Sequence, residues 1–132
     1  MKTGLFLAAA LLIGLSTVAC QSTHQSGVTS DYRTQWTNVN ANTQTTTEAA
    51  RTVLQSNGLQ DVSANSTAVD GHATAKKADG SKVDVSVAKQ SDTKSQVSVT
   101  VGTVGDPKLG ADLAKQIKQQ AEGGASSATT RP

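Results

Sequence analysis

Two short runs of valine constrain this chain more than anything else in it. Val83, Val85 and Val87 alternate with Lys82, Asp84 and Ser86, and Val97, Val99 and Val101 alternate with Ser98 and Thr100. Successive side chains of a strand point to opposite faces, so each run presents one valine face and one polar face. Ser91-Asp92-Thr93 lies between them and reads as a turn. The pair therefore predicts antiparallel strands in a sheet that is buried on one side and wet on the other.

The flanking segments extend the pattern. Val62 and Ala64, then Ala73 and Ala75, alternate around Asp70-Gly71, and Ala78-Asp79-Gly80-Ser81 is a hairpin signal before the first valine run. Upstream, Tyr32 to Ala41 is rich in Thr, Tyr, Trp and Val, and reads as an opening strand. Tyr32, Thr34 and Trp36 share one face there and Val39 and Ala41 the other, so a bulge near Asn38 is expected. Thr45-Thr46-Thr47-Glu48 has the capping-box form. Ala49, Ala50, Val53 and Leu54 continue it as a helical stripe, and Asn57-Gly58 closes it with Leu59 packing back on Leu54. Asp106 and Pro107 open a second helix whose stripe is Leu109, Leu113, Ile117 and Ala121, widened by Ala114. The element order is β-α-β-β-β-α. It predicts an α+β domain: a four-stranded, mostly antiparallel sheet with both helices on one face.

Composition fixes what can fill such a core. The chain of 132 residues has one Phe, one Tyr and one Trp, so the interior must be built from Val, Ala, Leu and Ile. Burial of side chains that small stabilises modestly, and the single cysteine has no disulfide partner. A marginal monomer, or one aided by self-association, follows. Net charge is +2 with the signs mixed along the chain, which speaks against nucleic acid as a partner.

The ends carry a different message. Lys2 precedes an apolar segment from Leu5 to Leu15, then Ser16-Thr17-Val18-Ala19 and the lone Cys20. About 11 apolar positions fall short of the roughly 20 that span a bilayer, so a processed export signal is expected over residues 1–19. Ordinary signal peptidase would also accept the small residues before Cys20. The segment resembles the lipobox of bacterial lipoproteins, which implies a diacylglyceryl group on the Cys20 sulfur and Cys20 as the first mature residue. By the same resemblance, Gln21 in place of Asp implies sorting to the outer membrane, facing the periplasm. Two or more acyl chains give stable anchoring. Residues 20–30 read as lipidated Cys and flexible tether, 31–121 as the small α+β domain, and 122–132 as a disordered tail.

Glu48-Ala49-Ala50 to Gly58-Leu59, Ala78-Asp79-Gly80-Ser81 and Val99 to Asp106 occur in an order that resembles a family of small uncharacterised bacterial lipoproteins. That family carries a domain of unknown function with a V-x-V-G-x-x-G-D strand-turn-helix. The resemblance implies an envelope lipoprotein and no reaction.

Candidate chemistry is thin. Gly102-x-x-Gly105-Asp106 lacks the Lys and Ser/Thr of a phosphate loop, and Asp106 would repel an anion, so a capped turn is expected. His24 and His72 are too few and too scattered for a metal site, and no cofactor motif appears. No Ser-His-Asp order stands out. Lys76-Lys77 reads as a solvated pair that could touch anionic headgroups. Trp36 belongs to the core on expectation; exposed on an edge strand it would, with Tyr32, mark a partner surface. The reading is a non-enzymatic envelope protein, tethered through Cys20, whose domain binds an envelope protein or itself. The alternative is a carrier for a lipid or small apolar ligand between sheet and helices.

Overall fold

The structure is a computed structural model that describes residues 27–127. Cys20, His24 and the apolar segment lie outside the described residues. Two helices pack on one face of a single antiparallel sheet, so the domain is α+β. The sheet has six strands rather than the expected four. They are β1 (Val28–Ser30), β2 (Thr34–Val39), β3 (Gln60–Ser66), β4 (Asp70–Lys76), β5 (Lys82–Ser91) and β6 (Lys94–Val101), in the spatial order β1-β2-β6-β5-β4-β3. Helix α1 (Thr43–Ser56) connects β2 to β3, and α2 (Pro107–Ser127) follows β6.

One extra strand comes from a segment with little apolar signal, and the other from the Val62–Ala64 and Ala73–Ala75 runs, which are two strands where the expected element order leaves room for one. β1 lies in the stretch read as tether, where only Val28 is hydrophobic; it pairs with β2 from Val28↔Thr37 to Ser30↔Gln35. After α1 there are four strands, because Gln60–Ser66 and Asp70–Lys76 form separate arms of a hairpin. β3 is nearly all polar, and a register shift between Gln60 and Ser63 breaks its alternation further, with Asp61 at φ 51°. At the other end, α2 continues through residues 122–127, which were read as tail.

The valine runs behave as the alternation requires. Val83↔Val101, Val85↔Val99 and Val87↔Val97 face one another across β5 and β6, and all six are buried. Leu54, Leu113, Ala114 and Ile117 lie over this surface from the helices with no exposed area. α2 sits over β2 and β6, and α1 over β3, β4 and β5.

The opening strand is the main local correction. β2 pairs with β6 in continuous register from Thr34↔Thr100 to Val39↔Ser95, with no bulge at Asn38. Its buried face is Gln35, Thr37 and Val39, leaving Thr34 and Trp36 outside. Two polar residues facing the core reversed the reading. Each has a partner that makes burial tolerable: Gln35 accepts from the Ser30 hydroxyl and donates Nε2–H to Asp31 O at 3.0 Å, and Thr37 donates to Gly27 O at 2.8 Å.

α1 starts earlier than the capping-box reading places it. Asn42 is the N-cap, and its side chain accepts from Thr45 N at 2.8 Å. Thr46 and Thr47 are then free to serve the core. Thr46 Oγ1 and Ser95 Oγ lie 2.7 Å apart, and Ser95 also donates to Ala41 O at 3.0 Å, tying the helix to β6 beneath the surface. The helix ends as its sequence predicts: Gly58 takes φ 72°, and Leu59 N donates to Leu54 O at 3.2 Å. Asp106 caps α2, accepting from Leu109 N at 3.0 Å.

Close approach of helix and sheet replaces bulk in this core. Gly71 on β4 passes directly beneath α1. A Cβ there would collide with Thr47 Oγ1 and stand 3.2 Å from Thr47 Cβ. Gly71→Ala is therefore expected to destabilise the domain by about 1–3 kcal/mol in chemical denaturation, with Thr47→Ala in the same chain recovering part of the loss.

The β4–β5 turn gives a pH dependence. The Asp79 carboxylate accepts from Ser81 N at 2.8 Å, and this backbone hydrogen bond, reinforced by the Ser81 side chain and Lys77, holds its pKa below the ordinary 3.8. A depressed folded-state pKa means that this stabilisation is present above the ordinary value and fades as pH falls through the lowered one. A carboxyl NMR titration should place the Asp79 midpoint below 3.8. An Asp79 that titrates normally would contradict the turn geometry.

Candidate functional site

With both helices on one side, the opposite face of the sheet has no covering element among the described residues. Its side chains stand in register across the strands. One row runs Thr29, Trp36, Ser98, Ser86, His72 and Asn65, each directly opposite the next on β1, β2, β6, β5, β4 and β3. The row is tall, short, short, tall: an indole, two serine hydroxymethyls and an imidazole. Trp36 and His72 are three strand spacings apart, about 14 Å at ~4.8 Å each. The serines form a low floor between them.

A depression of about 510 Å³ follows from this sequence of sizes. Trp36 walls one side. At the other lie the β3–β4 turn and its flanks, where Thr67 and Asp70, the first residue of β4, also line it. That rim is internally fixed: Thr67 N donates to Asp70 O at 2.8 Å and Thr67 Oγ1 to Asp70 Oδ1 at 2.6 Å. Lys89 N reaches over to Val69 O at 2.9 Å and ties the turn to β5.

Trp36 is half-buried although no helix lies over it. Tyr32, grouped with it in the sequence reading, sits instead in the β1–β2 turn and is 73% exposed. The structure therefore separates the two aromatics.

His72, Asp84 and Ser86 do converge on this face, which chain order does not suggest. His72 Nδ1 lies 3.5 Å from Asp84 Oδ1, Lys82 Nζ lies 3.3 Å from Asp84 Oδ2, and Ser86 is opposite His72. The grouping has the residue types of a catalytic triad without its working parts. No hydrogen bond joins Ser86 to His72 among the described residues, and Lys82 shares the carboxylate. β5 is paired on both sides, so its amides belong to the ladders and leave no oxyanion donors beside Ser86. No group of three or more metal-ligating side chains occurs among the described residues.

What the face offers is unused hydrogen-bonding capacity. Trp36 Nε1, the Gln96 and Asn65 amides and the Ser86 and Ser98 hydroxyls have no hydrogen-bond partner among the described residues. The sequence signal for these positions was the polar half of the valine alternation, which places Ser86 and Ser98 outward but does not pair them with Trp36 or His72. Gly102 and Gly105, at φ 66° and 94°, belong to the turn that Asp106 caps, as its sequence predicts. Lys77 is held near that turn, 3.5 Å from Asp79 and 3.9 Å from Asp106.

Fold and face together define a two-layer α+β domain, one side of whose sheet is uncovered among the described residues. The chain belongs to the family described as "Protein of unknown function (DUF3568)", which matches residues 3–120. No curated protein matches the chain.

Trp36 is placed where it contributes to the face more than to the fold. Trp36→Ala should lower the denaturation midpoint less than Leu113→Ala, whose full burial predicts a loss of about 2–5 kcal/mol. Collapse of the domain in Trp36→Ala would make the ring a structural element and remove it from the site.

Proposed function

We propose that this protein is a lipid-anchored component of the bacterial cell envelope, held through an acylated Cys20 at the outer membrane and facing the periplasm. Its small domain is a non-enzymatic interaction module. The apolar segment from Leu5 to Leu15, the small residues after it and the lone Cys20 support the anchor. The family match opens at residue 3 and so runs through all of them. Among the described residues no helix is long and apolar enough to cross a membrane, and the anchor reading needs none.

The observation that carries the interaction reading is the uncovered sheet face with its half-buried Trp36 and unpartnered polar groups. The space between the layers is different. Val85, Val99, Leu54, Leu113 and Ile117 fill it with no exposed area, which favours the outer face over the interior as the place where a partner binds.

Mass spectrometry of the N-terminal peptide from membranes should show Cys20 carrying two or three acyl chains. Cys20→Ser should shift the protein out of the detergent-extracted membrane fraction. Wild-type protein recovered in the soluble periplasmic fraction with a free thiol would overturn the anchor.

A further inference from the structure

We propose that the depression on the outer sheet face binds a neutral saccharide, specifically a β-linked pyranose chain lying across the strands with one ring against Trp36. This rests on the domain being a binding module and names the chemistry of what it binds.

Four observations select that chemistry. The lining contains an aromatic side chain, hydroxyls, amides, an imidazole, the Asp70 carboxylate and the small apolar Val87 and Ala88, and no Lys or Arg, so an anionic ligand finds no counter-charge there. The carboxylates near it are already engaged: Asp70 accepts from Thr67 Oγ1, and Asp84 lies within 3.5 Å of His72 and 3.3 Å of Lys82. A cationic ligand would have to displace those contacts. A peptide strand would seek unpaired backbone groups, which this face lacks because β6, β5 and β4 are each bonded on both sides. A lipid chain would match Trp36 and Ala88, which line the depression, but it would leave the unpartnered hydroxyls and amides beside them desolvated without replacement bonds.

A β-linked pyranose meets the same conditions from the other side. Its equatorial substituents leave flat C–H faces that stack on an indole, and its hydroxyls and acetamido groups radiate around the rim of the ring. Trp36 provides the platform. The Ser98 and Ser86 hydroxyls and the Gln96 and Asn65 amides provide donors and acceptors at the periphery. All four lie in the depression beside or beyond Trp36 and are without partners among the described residues. The row from Trp36 to Asn65 crosses four strand spacings, about 19 Å, which suits an extended oligosaccharide better than a single ring.

Trp36 is the only tryptophan in the chain, so intrinsic emission reports this site alone. The probe is chitotetraose, a soluble neutral β-linked oligosaccharide, added to the full chain in a zwitterionic detergent without a sugar headgroup. A saturable shift of the emission is expected, with amide NMR shifts confined to β2, β6, β5, β4 and the β3–β4 turn. By calorimetry, Trp36→Ala should weaken binding about tenfold or more. Ser98→Arg, which fills the floor beside Trp36 from a solvent-facing position, should do the same with circular dichroism unchanged. Both variants should remain in the membrane fraction, so loss of the saccharide is read separately from loss of the anchor. An unchanged emission up to the solubility limit, shifts on α1 and α2 instead, undiminished affinity in folded Trp36→Ala, or a protein captured at this face without any saccharide response would each overturn the proposal.

Discussion

Burial on one side only is the constraint from which the architecture follows. β5 and β6 lie at the centre of the sheet, and each carries valine on one face and Lys, Asp, Ser or Thr on the other. Helices can therefore cover one side and have no reason to cover both. With both valine triplets directed inward in matching register, the sheet presents a continuous apolar strip, and the stripes of α1 and α2 close over it. The side chains are small, so contact is achieved by bringing the layers close rather than by filling a wide gap. That is why a glycine lies beneath Thr47, and why Thr46, Ser95 and the Ala41 carbonyl bond to one another inside the core. A polar group at that depth is acceptable only with its partner in place, so the same closeness that makes the core also fixes its register.

The outer face inherits its order from the inner one. Once Val85 is opposite Val99 and Val87 opposite Val97, Ser86 has to be opposite Ser98. Continuous pairing outward then puts Trp36 at one end of that row and His72 at the other. No separate device aligns these four side chains. They are positioned by rigid strands held from behind by the helices, which is the arrangement that keeps a recognition surface unchanged when free. The β3–β4 turn at the rim is held by the Thr67 to Asp70 hydrogen bonds.

Much of this was legible in the residues. The valine alternation, the Asp106-Pro107 start of α2 and the Gly58 end of α1 rest on local rules that the tertiary structure has no cause to override. The failures at β2 and α1 share one physical origin: polar residues that face inward. Gln35 and Thr37 occupy the core side of β2, so a reading that assigns the core to apolar residues turns that strand over and puts Trp36 inside. Thr46 and Thr47 are core residues of α1, so a reading that treats threonine as a cap starts the helix too late. β1 has one valine and is a strand chiefly because its neighbour supplies a ladder. The His72, Asp84 and Ser86 cluster was illegible for another reason. It depends on which residues oppose each other across hairpins, and a single residue of slip would exchange the two faces.

The same register argument separates binding from catalysis on this surface. Catalytic groups need donors aimed at a developing charge and a site that excludes water. Strand centres provide neither, because their amides are directed sideways into neighbouring strands and the face is open. The depression beside the indole is open, and hydroxyls and amides make up most of its polar lining. It can lie along an extended partner and make several weak contacts at once. Under the anchor proposed at Cys20, contacts that are weak singly would become effective, because tethering would keep the face near anything else confined to the same layer. The weakness of each contact follows from a sheet that has only one side worth burying, and the proposed tether would offset it.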